Sequence, residues 1–207
     1  KSSAHFYNAS SSECFGDTNN KPANEGTPFH PKSPYAIAKV AAHWQVVNYR
    51  EGYKMFACSG ILFNHESPLR QPRFVTRKII STVVRISLGS HERLTLGDLS
   101  IYRDWGWAPD YVEAMWMMLQ QNQPDDYVIA TGQSYSLKDF VSMSFSEVGL
   151  NWKDYVDFDS KLCRPSEIKY SCGDITKASI KLGWMTANTL PSIIEKMIAA
   201  EKTLQCQ

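Results

Sequence analysis

The segments Ala4-His5-Phe6-Tyr7-Asn8-Ala9-Ser10-Ser11-Ser12-Glu13 and Ser33-Pro34-Tyr35-Ala36-Ile37-Ala38-Lys39 decide the fold. The first reads as a short buried strand over residues 4–10 that ends in small polar residues. Strand ends of this kind are where open parallel sheets present their chemistry. The second opens a helix: Ser33 has the side chain of an N-cap and Pro34 suits the first turn. Residues four apart lie on one helical face, so Tyr35 and Lys39 point the same way. A free phenol, with a pKa of about 10, is a poor base at neutral pH. A neighbouring ammonium favours the phenolate. Ser11 offers a hydroxyl to complete a proton-handling set, and Glu13 adds a second base.

Outward from this pair, apolar runs and helical patterns alternate. Residues 14–32, rich in Gly, Asn, Pro and Lys, read as a loop. The helix begun at Ser33 runs to about Gly52, with Ala38, Ala42, Val46 and Val47 expected in the core and Trp44 and Tyr49 at an interface. Met55–Phe63 is a buried strand followed by the polar cluster Asn64-His65-Glu66-Ser67-Pro68. Phe74–Leu88 reads as a helix starting among Arg70, Arg73, Arg77 and Lys78. Cations are unfavourable at a helix N-terminus; a bound anion or solvent exposure would each relieve that. Strands are expected at Leu94–Gly97, Tyr127–Ala130 and Tyr155–Phe158. Helices are expected near Pro109–Gln121, Leu137–Val148, Thr176–Leu182 and Leu190–Leu204. The alternation predicts an α/β protein with a parallel sheet.

Composition sets bounds on function. The chain has 207 residues with 43% hydrophobic content, enough for a sizeable core. A net charge of +1 makes no general case for nucleic acid, so an anionic ligand must be met by local Arg and Lys. No apolar run approaches the ~20 residues of a membrane span, and no signal peptide is visible. The 5 cysteines are odd in number and lack metal-like spacing, which fits reduced thiols in a cytoplasm. No metal site is expected.

The serine, the Tyr-x-x-x-Lys and the Glu two places after the hydroxyl resemble the short-chain dehydrogenase/reductase superfamily, extended sugar-nucleotide branch. Within it, the Glu marks the 4,6-dehydratases. Further blocks resemble the GDP-mannose 4,6-dehydratase family: Phe63-Asn64-His65-Glu66-Ser67-Pro68, Phe74-Val75-Thr76-Arg77-Lys78-Ile79, Arg103-Asp104-Trp105-Gly106, Ile129-Ala130-Thr131-Gly132 and Arg164-Pro165-Ser166-Glu167. The resemblance implies the C-terminal portion of an NAD(P)-binding Rossmann fold plus a small α/β substrate-binding domain. The cofactor part is expected over residues 1–68 and 104–132, the sugar-nucleotide part over 69–103 and 133–207. It makes Ser11, Glu13, Tyr35 and Lys39 catalytic. Tyr35, Lys39, His65 and Arg70 would contact NADP, with Lys39 on the nicotinamide ribose. Asn64, Val75, Lys78, Arg103, Arg164 and Glu167 would line a GDP-mannose pocket. The implied partners are that substrate and further copies of the chain, as homodimer or homotetramer, paired through the Tyr35 helix.

Two departures stand out against that family. Ser11 replaces the usual Thr, which preserves a hydroxyl. Leu69-Arg70-Gln71-Pro72-Arg73 replaces a stretch with a second Arg followed by Gly-Glu, close to the nucleotide. The Gly-rich dinucleotide turn is also absent from the 11 glycines present, so about the first third of such a protein is missing here: either the sequence is a fragment, or another polypeptide supplies that part. A related epimerase or reductase would keep Ser11, Tyr35 and Lys39 but lack Glu13. A non-catalytic binding piece is the reading from outside enzymology.

Overall fold

The computed structural model describes residues 4–163 and 166–205. Arg164, expected in the substrate pocket, lies outside them, as does Cys206. Three parallel strands form the main sheet in the order β1 (Phe6–Ser11), β2 (Ala57–Leu62), β7 (Tyr127–Ile129). β2, with its run of apolar and small residues, is buried throughout. β1 is buried only at Ser10 and Ser11. This corrects the expectation of a fully buried first strand. Among the described residues β1 pairs on one side alone, so its early residues meet solvent.

α1 (Pro34–Tyr53) crosses between β1 and β2. The Ser33 side chain caps it, accepting from the Ala36 N–H at 3.1 Å. Its buried residues are Ala36, His43 and Val46. The expected stripe was therefore rotated. Ala38 is exposed and only Val46 of the four stripe residues is buried, because a histidine and the stem of Arg50 take core-side places that apolar counting ignores. Trp44 and Tyr49 are both exposed. α3 (Ala108–Leu119) packs on β2, and α5 (Thr176–Leu182) on β7. Ala178, Leu182 and Trp184 thus join the cluster around Cys58, Tyr111 and Ile129, although they fall in the stretch expected to belong with the substrate part.

A second core gathers α2 (Val75–Ser87), α4 (Leu137–Glu147) and α6 (Leu190–Gln205) around Ile79, Val83, Phe140, Phe145, Ile193 and Met197. α4 opens on a capping box in which Ser136 and Asp139 satisfy each other's backbone N–H. The parallel pair β4 (Leu94–Leu96) and β9 (Val156–Phe158) lies beside this core. Between the two cores run short strands that the sequence did not reveal. β3 (Asn64–Glu66) pairs with β6 (Trp105–Trp107), and β5 (Tyr102–Arg103) with β8 (Tyr135–Ser136).

The loop over residues 17–32 is fastened rather than loose. Ala23 pairs with Gly173, and the Glu25 carboxylate accepts the Val128 N–H at 2.7 Å. That side chain satisfies a donor on the outer edge of β7 that another strand would otherwise take.

Candidate active site

β1 hands over at Ser11 to a 3-10 turn, Ser12–Phe15, which carries Glu13. The Ser11 hydroxyl accepts the Glu13 N–H at 3.3 Å and so caps the turn. Gly16 ends it with φ of 65°, and a Cβ there would strike the carbonyl oxygen of His30. Only glycine allows this sharp exit. The half-buried Glu13 carboxylate accepts a hydrogen bond from the Ser33 hydroxyl at 3.3 Å. Ser33 therefore does two jobs, capping α1 and holding Glu13. One hydroxyl thus fixes the carboxylate relative to the helix that begins with Tyr35.

Tyr35 is 53% exposed. The Lys39 ammonium lies 5.7 Å from its ring centroid and donates to the Ala9 carbonyl at 2.8 Å. A backbone oxygen of β1 thus anchors the cation beside the phenol. The pairing expected from helical spacing is present, with Ser11 two residues along the same strand.

A cleft of about 490 Å³ opens beside Glu13, between the two cores. Its walls include Asn64, Arg70, Val75, Lys78, Arg103 and Glu167, as well as Glu13 itself. Five of the expected substrate residues therefore share one cavity. A smaller recess of about 80 Å³ joins Glu13 and Ser33 to Asn64, Arg103 and Glu167. Lys78 donates to the Thr95 carbonyl at 2.7 Å. Arg103 and Glu167 bind each other at 2.6 Å, and Arg103 also donates to the Ile168 carbonyl at 2.8 Å. α2 starts at Phe74 without a side-chain cap, leaving its first N–H groups open. Arg70 and Arg73 both lie over the Phe74 ring, at 3.9 and 5.3 Å.

Tyr35, Lys39 and His65 are not in the wall of this cleft. Arg70, expected with the cofactor, lines the same cavity as the substrate set. His65 turns inward: Nδ1 donates to the Phe63 carbonyl at 2.8 Å, and the ring lies 4.9 Å from Tyr111. Burial lowers its pKa and favours the neutral ring, so Nε2 is left as the acceptor.

Glu66, Asp104 and Cys163 have no role assigned by the sequence, and the structure gives each a place. Glu66 is fully buried in the cleft floor. Cys163 lines the rim. Asp104 is buried behind Arg103 and accepts from the Thr131 N–H and hydroxyl, the Gly132 N–H and the Gly173 N–H at 2.7 to 3.3 Å. Burial pushes its carboxyl up to about 6, against the pull of those donors. A lone Asp between Arg and Trp carries no sequence signal of such a junction; Gly132 and Gly173, far apart in the chain, meet only in the fold.

This α/β arrangement, with a tyrosine–lysine pair after one parallel strand and a cleft after the next, is the fold expected from the resemblance to the extended short-chain dehydrogenases/reductases. Solved structures agree on the fold. The structure of RMD from Pseudomonas aeruginosa complexed with NADPH superposes with TM-score 0.89 at 20% identity, covering 98% of this chain and 68% of that one. A dTDP-glucose 4,6-dehydratase from Bacillus anthracis in complex with NAD gives 0.87 at 17% identity, over 96% and 62%. The chain belongs to the GDP-mannose 4,6 dehydratase family, whose family model matches residues 1–197. It is 53% identical over 193 residues to GDP-mannose 4,6 dehydratase 1 of Arabidopsis thaliana, covering 93% of this chain and 53% of the relative. Against the Homo sapiens GDP-mannose 4,6 dehydratase it is 46% identical over 219 residues, covering 98% and 59%. The chain thus spans a little over half the length of these relatives.

Proposed function

We propose that this chain supplies the sugar-nucleotide cleft and the acid–base residues of a GDP-mannose 4,6-dehydratase, a hydro-lyase yielding GDP-4-keto-6-deoxymannose. The observation that carries the reading is the Ser33 hydroxyl. It donates to Glu13 while capping the helix of Tyr35, at the mouth of a cleft walled by cations. Tyr35 accepts the proton of the sugar C4 hydroxyl, with Lys39 beside it to stabilise the phenolate. Once C4 is a ketone, the C5 hydrogen is acidic; Glu13 takes it and assists departure of the C6 hydroxyl as water. Ser11 offers its hydroxyl to the C4 oxygen.

The exposed phenol and the ammonium held at the β1 carbonyl of Ala9 fit a nicotinamide ribose, so Tyr35 and Lys39 would hold NADP there. A bound NADP would supply hydride acceptance from C4 and hydride return to C6, while the Tyr35 phenol gives its proton back at C5, so that cofactor and phenolate would be unchanged over the cycle. His65 contributes only through its Nε2 acceptor. On the substrate side, Arg103, Lys78 and the open N-terminus of α2 suit a pyrophosphate. Arg103 must exchange Glu167 for the ligand, freeing that carboxylate for a ribose hydroxyl or a guanine edge. Arg164 belongs to the proposal on sequence grounds alone. The two cores support the division into a cofactor part and a substrate part, with residues 173–184 returning to the first. Copies of the chain associate through α1, whose outer face carries Ile37, Trp44, Tyr49 and Tyr53 exposed. Four described free thiols fit a cytoplasmic setting; among the described residues no helix is long and apolar enough to cross a membrane.

The test is incubation of the intact protein with GDP-mannose and catalytic NADP, following the 4-keto product. Glu13→Gln should still exchange the C4 hydrogen with cofactor while elimination stalls. Normal dehydration by this variant would defeat the assignment of Glu13.

A further inference from the structure

The cleft beside Glu13 has two ends. Glu13 and Arg103 line both it and the smaller recess, whereas Leu96, Gly97, Asp98, Leu162 and Lys169 line the cleft alone. Glu13 marks the hexose end, so a nucleotide that runs past Arg103 sets its base at the other. That end suits a flat ring with a polar edge. Leu96 and Leu162 supply apolar surface, and Gly97 lets the two segments close up: a Cβ on it would lie 3.0 Å from the Leu162 carbonyl oxygen.

The polar edge is an ion pair anchored on both sides. Oδ1 of Asp98 accepts the Ser100 N–H at 2.8 Å and the Ser100 hydroxyl at 2.6 Å, while Oδ2 accepts from the Lys169 ammonium at 2.6 Å. Lys169 and then Ser100 hold the Asp98 carboxyl down at about 2, so it is charged near neutrality. The Lys169 backbone is fixed in turn: its N–H donates to Asp17 at 2.8 Å, and its carbonyl accepts the Tyr102 N–H at 2.8 Å. With the Lys169 side chain 62% exposed, the pair adds little to stability. What it presents is an acceptor beside a donor, since Oδ2 keeps a lone pair and the ammonium keeps N–H groups. A 6-oxopurine edge is the complement: acceptor O6 next to donor N1–H, at a separation close to the 2.6 Å of the pair. Adenine seated the same way turns an amino group toward the ammonium and a lone pair toward the carboxylate, leaving both mismatched.

We propose that Asp98 and Lys169 read the base of the nucleotide, Lys169 donating to O6 and Asp98 accepting from N1–H, so that the cleft selects 6-oxopurine over adenine diphosphates. The proposal rests on reading the cleft as the sugar-nucleotide site. It leaves Arg103 to the diphosphate and Glu167 to the ribose.

Calorimetric titration of GDP, IDP and ADP into the intact protein tests it. GDP and IDP share O6 and N1–H and should bind within about threefold of each other, with ADP about a hundredfold weaker. Asp98→Asn and Lys169→Met should each weaken GDP and IDP about tenfold and leave ADP no weaker than in wild type. Lys169→Arg, which keeps a donor, should restore most of the preference. In turnover, Asp98→Asn should raise KM for GDP-mannose about tenfold and leave kcat within about twofold, as lost ground-state binding does. A merely structural pair, or a Lys169 that serves the diphosphate, would weaken all three nucleotides together. An unchanged ratio of GDP to ADP affinity in both variants therefore overturns the proposal, and a fall in one variant alone overturns the paired reading. Wild-type protein that binds GDP and ADP equally overturns the proposal and leaves the cleft a nucleotide site. Wild-type protein that binds none of the three overturns it together with the reading of the cleft.

Discussion

Glu13, in the wall of the cleft, and Asp104, buried behind the cleft residue Arg103, are both carboxylates, yet the fold treats them differently. Asp104 is buried and fully engaged: among the described residues four hydrogen bonds, three from backbone N–H groups, bind it to residues 131, 132 and 173, and the Cys172 thiol donates a fifth at 4.0 Å. Glu13 is half-buried and, among the described residues, has a single side-chain partner, the Ser33 hydroxyl. A carboxylate whose lone pairs are all occupied by the backbone organises structure, since moving it would orphan several buried donors. One held by a single long hydrogen bond keeps lone pairs for a substrate proton. The number of donors spent on each group separates an architectural acid from a chemical one.

The comparison breaks most sharply in kinetics. Glu13→Gln should lower kcat for dehydration about a thousandfold, roughly 4 kcal/mol of barrier, in line with loss of a positioned base. Its melting temperature should stay close to wild type, because only the contact with Ser33 changes. Asp104→Asn should behave in the opposite way. Its amide presents N–H to N–H, leaving buried backbone donors unpaired at about 1–3 kcal/mol in total. Chemical denaturation should show that loss, while residual folded protein keeps its kcat. A Glu13 variant that melts early, or an Asp104 variant that does not, would erase the distinction.

Asp126 extends the series toward pH. It binds Arg50 through both oxygens at 2.8 and 2.6 Å, accepts the Ser59 N–H at 2.7 Å and lies 3.9 Å from Nε2 of His43. His43 is packed against Phe29 and Trp44. Burial lowers its pKa below 6.5; Asp126 opposes that, and Arg50 adds to it. The folded state therefore resists a proton that the unfolded chain accepts. The contribution of His43 to stability should be full above pH 6.5 and fall as the pH drops below it. Denaturant melts of wild type and His43→Phe between pH 5 and 8 should show the wild-type slope and its reduction in the variant. A steeper slope in the variant would place the responsible titration elsewhere.

Much of this was legible in the sequence, and the failures have physical causes. Ser33-Pro34 marked the start of α1 because capping is a local matter, and the Tyr35–Lys39 spacing needs only helical geometry. The three strands of the main sheet were visible as apolar runs. β3, β5, β6 and β8 were not, since each has two or three residues and exists only through a partner distant in sequence. The buried face of α1 was misplaced because His43 and Arg50 serve Asp126, a contact 76 residues away for Arg50. Asp104 and Glu66 shared this obscurity: their partners converge from the ends of several elements, and no spacing along the chain announces that.

The smallest effect tests the series at its other end. Asp157 receives two hydrogen bonds from Arg93, at 2.6 and 2.8 Å, in a geometry as good as that of Arg50 with Asp126. Its side chain is 47% exposed and that of Arg93 49%, so water competes for both charges and salt screens what remains. The bond from Arg93 lowers the Asp157 pKa, yet in this exposed setting that shift says little about folding. Asp157→Asn should leave the melting temperature unchanged in 0.15 M salt, taken as about physiological, and differ from wild type only near zero added salt. A clear loss of stability at that ionic strength would mean that geometry, rather than burial, ranks the carboxylates of this protein. The contrast between Glu13 and Asp104 would then need a different explanation, because it too assumes that desolvation decides what a hydrogen bond is worth.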